Sequence, residues 1–375
     1  MQKKAKRMLI ILLLLIVLLA GGSWLYLQHP KFGGRPDEAG RTAIQESPHY
    51  KDGKFQNLID TPMFVSEKGR VSSTLEFIFS KKERTVPNGD LPSVKRDLKS
   101  LAADENIVIW LGHSSFFLQL DGRKILIDPI LSDYASPVFF INKAFKGTTI
   151  YSADDLPEID YLLISHDHWD HLDYYTVTAL RAKIKKVVTG LGVGAHFERW
   201  GFPREMIHEA DWNESLFFGD DFSIHILPAR HFSGRLFKAN QTLWVAFALQ
   251  APGGSVFFSG DSGFGPHYQE IGQRFGGFDL VMLDSGQYDP QWANIHMNPE
   301  QAAQAAEDLK AAAYLPAHAG RFTIAYHAWD DPFVRAAAAS DGRPFRFVTP
   351  MIGEPVRLGD DSQAFTRWWE ADSLK

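Results

Sequence analysis

The segment Tyr161–Asp173, YLLISHDHWDHLD, constrains this chain more than any other. Tyr161 to Ile164 is a short apolar run and reads as a buried strand. It ends at Ser165, and His166, His168, Asp170 and His171 then follow within six residues. In an extended segment, residues i and i+2 point the same way, so His166 and His168 can converge on one ion. Asp170 and His171, after the chain bends, can aim at a second. Two such ions, about 3.5–4 Å apart, make a hydrolytic centre. A fold that uses this segment must bring further ligands to the same point from other strand ends.

The chain has no cysteine. Disulfides, thiolate metal sites and cysteine nucleophiles are therefore excluded. The expected cofactor is two divalent metal ions held by His and carboxylates. That chemistry favours Zn²⁺, with Fe or Mn as rivals. A length of 375 residues, 45% of them hydrophobic, supports one large core or two small ones. The net charge of −6 argues against a general nucleic-acid binder.

Residues 1–27 form a targeting or anchoring segment. Lys3, Lys4, Lys6 and Arg7 precede the unbroken apolar run Met8 to Ala20, and Trp24 to Leu27 resume it. Counted through Leu27, the stretch approaches the ~20 residues of a spanning helix. Counted to Ala20, it matches the apolar part of a cleaved signal peptide. Trp24 and Tyr26 suit a membrane interface, so an uncleaved anchor is the favoured reading. The positive-inside rule then puts the N-terminus in the cytoplasm and the body on the periplasmic or extracellular side. Residues 28–106 read as a linker, rich in Gly and Pro over His29 to Gly40, and an extension that wraps the main domain. Val71 to Ser80 reads as a strand or short helix.

The main domain is expected over 107–350, with a C-terminal tail at 351–375. Strands are predicted over Ile107 to Leu111, Phe116 to Leu120 and Lys124 to Ile127, with Asp121-Gly122 as a hairpin turn. Further strands are predicted at Lys186 to Thr189, Ser215 to Phe218, Phe222 to Leu227, Leu243 to Gln250, Val256 to Phe258, Phe278 to Leu283 and Tyr314 to Pro316. Helices are predicted over Asp173 to Lys183, Val193 to Trp200, His267 to Arg274, from Asn298-Pro299, and from Asp331 to Ala339. Asn298 is the expected N-cap, with Pro299 in the first turn. Strands with interspersed helices suggest an α/β sandwich.

The missing ligands should follow strands. His231 comes after Ile224 to Pro228, Asp261 after Val256 to Ser259, and His318 after Tyr314 to Pro316. A carboxylate at Asp261 can bridge two ions. His225 competes, but it lies inside a strand and is better read as packing.

With these residues in place, the sequence resembles the metallo-β-lactamase superfamily. The signature H-x-H-x-D-H stands as His166-Asp167-His168-Trp169-Asp170-His171. The later positions match His231, Asp261 in SGDSG, and His318. The resemblance implies an αββα sandwich over about Ile107 to Ala339. It implies one ion on His166, His168 and His231, the other on Asp170, His171 and His318, and Asp261 between them. GHSSFFLQLDGRKILIDP, LPARHFSGR, SGDSGFG and HMNPEQA look most like the branch of N-acylphosphatidylethanolamine-hydrolysing phospholipase D. Where that branch has His-Trp-Gly-Thr-Phe, this chain has His318-Ala319-Gly320-Arg321-Phe322.

The implied activity is hydrolysis of a lipid phosphodiester by a metal-activated water, which Asp170 or Asp261 orients. Small-molecule or lipid substrates and the membrane are the expected partners. A lactonase, another phosphate-ester hydrolase and a non-catalytic membrane-tethered metal-binding protein are the rivals. Asp128 is expected to support a ligand histidine. His296 and His327 are expected to contact substrate or the leaving group. Ser114, Ser115 and Ser262 are read as structural. Phe139, Phe140, Phe145, Tyr288 and Trp292 could line an acyl pocket.

Overall fold

A computed structural model describes residues 2–65, 69, 72, 75, 79, 83–219, 221–235 and 238–375. The element expected over 71–80 falls mostly on residues outside those described.

A helix, α1 (Gln2–Leu27), opens the chain with its apolar side chains exposed. Its Lys3–Leu27 stretch is long and apolar enough to cross a membrane. A short hairpin of β1 (Tyr50–Lys51) and β2 (Lys54–Phe55) follows. The body is then built from two seven-stranded sheets among the described residues. The first takes β3 (Ile107–Gly112), β4 (Ser115–Leu120), β5 (Arg123–Ile127), β6 (Ile159–Ile164), β7 (Ile184–Gly190) and β8 (Ile207–Ala210). The second takes β9 (Ser215–Phe217), β10 (Ser223–Pro228), β11 (Val245–Ala251), β12 (Gly254–Phe258), β13 (Leu280–Asp284), β14 (Ala313–Ala317) and β15 (Arg346–Phe347). A last strand, β16 (Pro355–Arg357), returns to pair with β3 at the edge of the first sheet.

Strand alternation sorts the side chains into layers. Val108 and Trp110 of β3 face the other sheet and join Ile224, Phe247 and Phe258 in the central core. Ile107, Ile109 and Leu111 face outward and pack with Val177, Leu180 and Phe197 of the covering helices. The result is the expected αββα sandwich. In each sheet an antiparallel meander gives way to parallel strands, in β5 to β8 and in β12 to β15. The parallel strands all end on one side, and their C-terminal loops can meet there.

Local signals act as expected. Asp173 caps the helix Tyr174–Leu180 through the amides of Tyr175 and Thr176. Asn298 caps Pro299–Asp308 and forms a capping box with Gln301.

Two boundaries need correction. The tail set at 351–375 belongs to the domain, because β16 extends the first sheet and Trp368 and Trp369 are buried in the central core. The linker reading of His29 to Gly40 also fails. Pro30–Phe32 is a single 3-10 turn with Lys31 and Phe32 buried, and a helix starts at Glu38 behind an Asp37 cap. The sequence also showed no sign of β8, β15 or β16, which are short and weakly patterned.

Candidate metal centre

Every predicted ligand lies just beyond a strand, on the side where the parallel strands end. β6 delivers His166, His168, Asp170 and His171; β10 delivers His231, β12 Asp261 and β14 His318. Two features fix this geometry. Gly260 has φ +56°, and a Cβ there would meet the Val245 carbonyl oxygen at 2.8 Å, so the turn into Asp261 favours glycine. Gly286 lies so close to the His318 backbone that a Cβ would fall 1.9 Å from its carbonyl oxygen.

The ligand atoms form two touching groups. His166, His168, His231 and Asp261 make one, and His113, Asp170, His171 and His318 make the other, with atoms in each within 4.8 Å of one another. In the first, His168 Nδ1 lies 2.9 Å from His166 Nε2 and 3.2 Å from His231 Nε2. Asp261 Oδ2 lies 3.7 Å from His166 Nε2 and 3.6 Å from His231 Nε2. It also lies 3.1 Å from His171 Nε2, so Asp261 stands between the groups. Asp170 Oδ2 is 3.6 Å from His171 Nε2 and 3.9 Å from His318 Nε2.

The donor set fits divalent cations. Burial holds His166, His231 and His318 well below the ordinary histidine range, and brings His168 down to about 4. They are neutral at pH 7, as metal ligands must be. His231 turns Nδ1 to the Ile295 carbonyl at 3.0 Å, which leaves the Nε2 lone pair facing inward. Neutral nitrogens converging at such distances must share a proton or a cation. His171 Nε2 and Asp261 Oδ1 are buried with no hydrogen-bond partner. Burial raises Asp261 to about 7. Burial works against a charge on His171, yet Asp261, Asp170 and Asp128 push it well above its usual range. Burial likewise opposes ionised Asp170, but His171 and His113 hold its carboxyl well below the usual range. A cluster that draws positive charge this strongly suits a metal.

A second layer supports these residues. Asp128 lies where the sequence reading put it, with Oδ2 2.8 Å from His171 Nδ1. His113, to which that reading gave no role, has Nε2 2.9 Å from Asp170 Oδ2. Its backbone joins the two sheets: His113 N–H donates to Ala319 O and His318 N–H to His113 O, at 3.1 and 3.2 Å. Ser114 Oγ is 3.0 Å from His318 Nδ1. Asp284, another residue passed over, holds His296 Nδ1 at 2.7 Å. Asp284 and His296 form a third group with Asp261 and His318. Burial lowers the affinity of His296 for a proton, but the Asp284 carboxylate outweighs it and the net shift is upward.

His327 is not brought into these groups. Its ring nitrogens lie 2.9 Å from the carbonyl oxygens of Ala328 and Gly286, and its ring stacks on Tyr288. His225 is the packing residue expected, bonded to Ser215, Ser223 and Gln250. Of the candidate acyl-pocket aromatics, Phe145 and Tyr288 are buried while Phe139 and Phe140 are exposed, so they do not line one cavity together. Arg321, where the chain departs from the branch pattern, is buried and donates to the carbonyls of Leu111 and Ser132.

The metal loop is also tied to the N-terminal extension. Phe32 packs edge-on against Trp169, at 5.4 Å between ring centroids. Buried Arg235 also lies over Trp169, with its guanidinium 3.9 Å from the ring centroid. It donates to Lys31 O on one side and to Asp167 O and Leu172 O on the other. His168, Trp169 and Asp170 are less buried than the other ligand-loop residues, so the mouth of the centre opens there.

Residues 123–319 match the family model of the beta-lactamase superfamily domain. An uncharacterized protein of Mycobacterium bovis is 34% identical over 344 residues, covering 90% of this chain and 92% of that protein. An N-acyl-phosphatidylethanolamine-hydrolyzing phospholipase D of Caenorhabditis elegans is 31% identical, covering 76% of this chain and 88% of that protein. A metallo hydrolase of Ignicoccus hospitalis shares the fold, with a TM-score of 0.51 and 20% identity over 67% of this chain and 97% of that one. The matched span contains all seven predicted ligands and stops short of His113. The chain belongs to the metallo-β-lactamase superfamily and is a metal-dependent hydrolase.

Proposed function

We propose that this chain is a membrane-tethered zinc hydrolase that cleaves a lipid phosphodiester in the manner of a phospholipase D. The observation that carries the reading is the joint between the root of α1 and the metal loop. Phe32 and Arg235 enclose Trp169, which lies between ligands His168 and Asp170. A helix able to cross a membrane thus ends beside the mouth of the centre. Relatedness to a protein named for hydrolysing N-acyl-phosphatidylethanolamine supports the same substrate class.

His166, His168 and His231 would hold one zinc ion, and Asp170, His171 and His318 the other, with Asp261 shared. Bound there, divalent cations lower the pKa of a water and offset charge on phosphoryl oxygens. The chain's own residues do the rest. His113 holds Asp170 in place, and Asp128 fixes the tautomer of His171. His296, whose proton the Asp284 carboxylate retains, can donate it to the departing alcohol oxygen. Water adds to phosphorus, the bond from phosphorus to that oxygen breaks, and the products are a phosphatidate and a free alcohol.

The test is a substrate panel on the full chain, purified in detergent and loaded with zinc. It would include N-acylated and ordinary phosphatidylethanolamines, lactones and bis-p-nitrophenyl phosphate. Release of N-acylethanolamine and phosphatidate is expected. Turnover of lactones alone overturns the lipid assignment, and two bound ions with no turnover of any substrate would favour a binding protein.

A further inference from the structure

The loop between β5 and β6 carries an apolar tip that neither fold nor metal centre uses. Phe139 and Phe140 are 77% and 71% exposed, and Ile141 follows them. The two rings pack edge to face, 5.4 Å between centroids. The tip is not a loose excursion. Below it, Tyr134 and Lys143 form an antiparallel bridge, Ala135 N–H donates to Asn142 O, and Ala144 N–H donates to Asp133 O. A short ladder therefore lifts two phenylalanines into solvent, at the cost of keeping them out of any core.

The position of the tip suggests what covers it. Pro137, two residues ahead of Phe139, is joined to the last turn of α1. Tyr26 Oη donates to the Pro137 carbonyl at 2.6 Å. Buried Lys31 donates to the same oxygen at 2.7 Å and to Tyr26 Oη at 3.0 Å. A tyrosine at the end of a spanning helix sits at head-group depth. Two residues of chain reach at most about 7 Å. Phe139 is thus held within that distance of the level at which α1 leaves the lipid, with Phe140 and Ile141 next in the chain. Lys143 and Lys146 are exposed on the segment that follows it, where they can meet anionic head groups.

We propose that the Phe139–Phe140–Ile141 tip enters the same lipid bilayer as α1, as a second contact beside the root of the helix. This rests on the reading of α1 as a membrane segment. Two contacts fix the tilt of the domain where one helix would leave it free to swing. They hold the mouth at His168 to Asp170 near the lipid surface, since Phe32 and Trp169 join that mouth to the same root.

The absence of cysteine gives a clean test. Single-cysteine variants of the full chain, Phe140→Cys, Leu13→Cys and Phe217→Cys, would each carry a fluorophore. They would be reconstituted into vesicles of phosphatidylethanolamine and phosphatidylglycerol with nitroxide-labelled lipid as quencher. Phe217 is a matched control, because it is 74% exposed yet pairs with Ser223, at the end of β10 remote from His231. The expected result is loss of most fluorescence at positions 140 and 13, with little loss at 217. Quenching at 13 but no more at 140 than at 217 overturns the second contact and leaves the anchor standing. No quenching at 13 overturns both.

Discussion

The two halves of the metal centre are supported differently. The His166, His168 and His231 half is mostly imidazole against imidazole, with a backbone carbonyl behind His231 and Ser165 Oγ 3.0 Å from His166 Nδ1. The Asp170, His171 and His318 half is held by side chains that are not themselves predicted ligands: His113 on Asp170, Asp128 on His171 and Ser114 on His318. Those supports come from β4, β5 and the turns around them. One half thus depends on its own ligands and on one hydroxyl, that of Ser165, which Asp128 holds in turn. The other depends on the first sheet keeping three polar side chains in register with the end of the second.

That contrast can be broken at the residue common to both halves. Asp261→Asn should lower kcat/KM roughly a thousandfold or more, as expected for removing one member of a unit that acts together. Plasma emission analysis of the dialysed variant should show loss of metal from both halves; full activity would remove Asp261 from its place between them. The next effects should fall on one half. His113→Phe should weaken one of the two bound ions by about 10–100-fold, the usual effect of removing an outer-shell partner. A metal titration should then show one site weakened and one unchanged; equal loss from both would erase the distinction.

Gly286→Ala tests the backbone under His318. A methyl group cannot lie 1.9 Å from the His318 carbonyl oxygen, so the strand end must shift. Thermal unfolding should register about 1–3 kcal/mol of destabilisation. The smallest effect is expected at His327, outside both halves. His327→Ala should leave kcat/KM within about twofold, because its nitrogens already face main-chain oxygens. A large fall in kcat at unchanged metal content would return it to the reaction.

The clustering of the candidate ligands was legible because each follows a short apolar strand, and because four of them crowd into six residues. The sandwich was legible for the same reason: most of its strands are apolar runs bounded by turn residues. His113 was hidden in Gly-His-Ser-Ser, which reads as a turn. Its role comes from contact with Asp170 and Ala319, far along the chain, and no local pattern encodes that. Asp284 closes a strand like any other acidic residue until His296 is seen beside it. The edge strands β15 and β16 are two and three residues long, too short to show a period. Lys31 misled in the opposite direction. A lysine among Gly and Pro suggests solvent, yet here its ammonium is used up by Pro137 and Tyr26 and its carbonyl by Arg235.

The Arg235 bond to Lys31 decides where the chain can be cut to remove its apolar helix. Trimming to residue 107, where the sandwich starts, would remove the Lys31 carbonyl and Phe32 together. Two guanidinium donors would lose their acceptor in a buried place, and Trp169 would lose the Phe32 ring packed against it. An unpaired buried donor costs about 1–3 kcal/mol, more when it is charged. A shortened chain that begins at Gln28 sheds the apolar helix and keeps the clamp. The residues ahead of the sandwich are therefore two parts with different fates, an apolar helix able to cross a membrane and a segment packed into the enzyme.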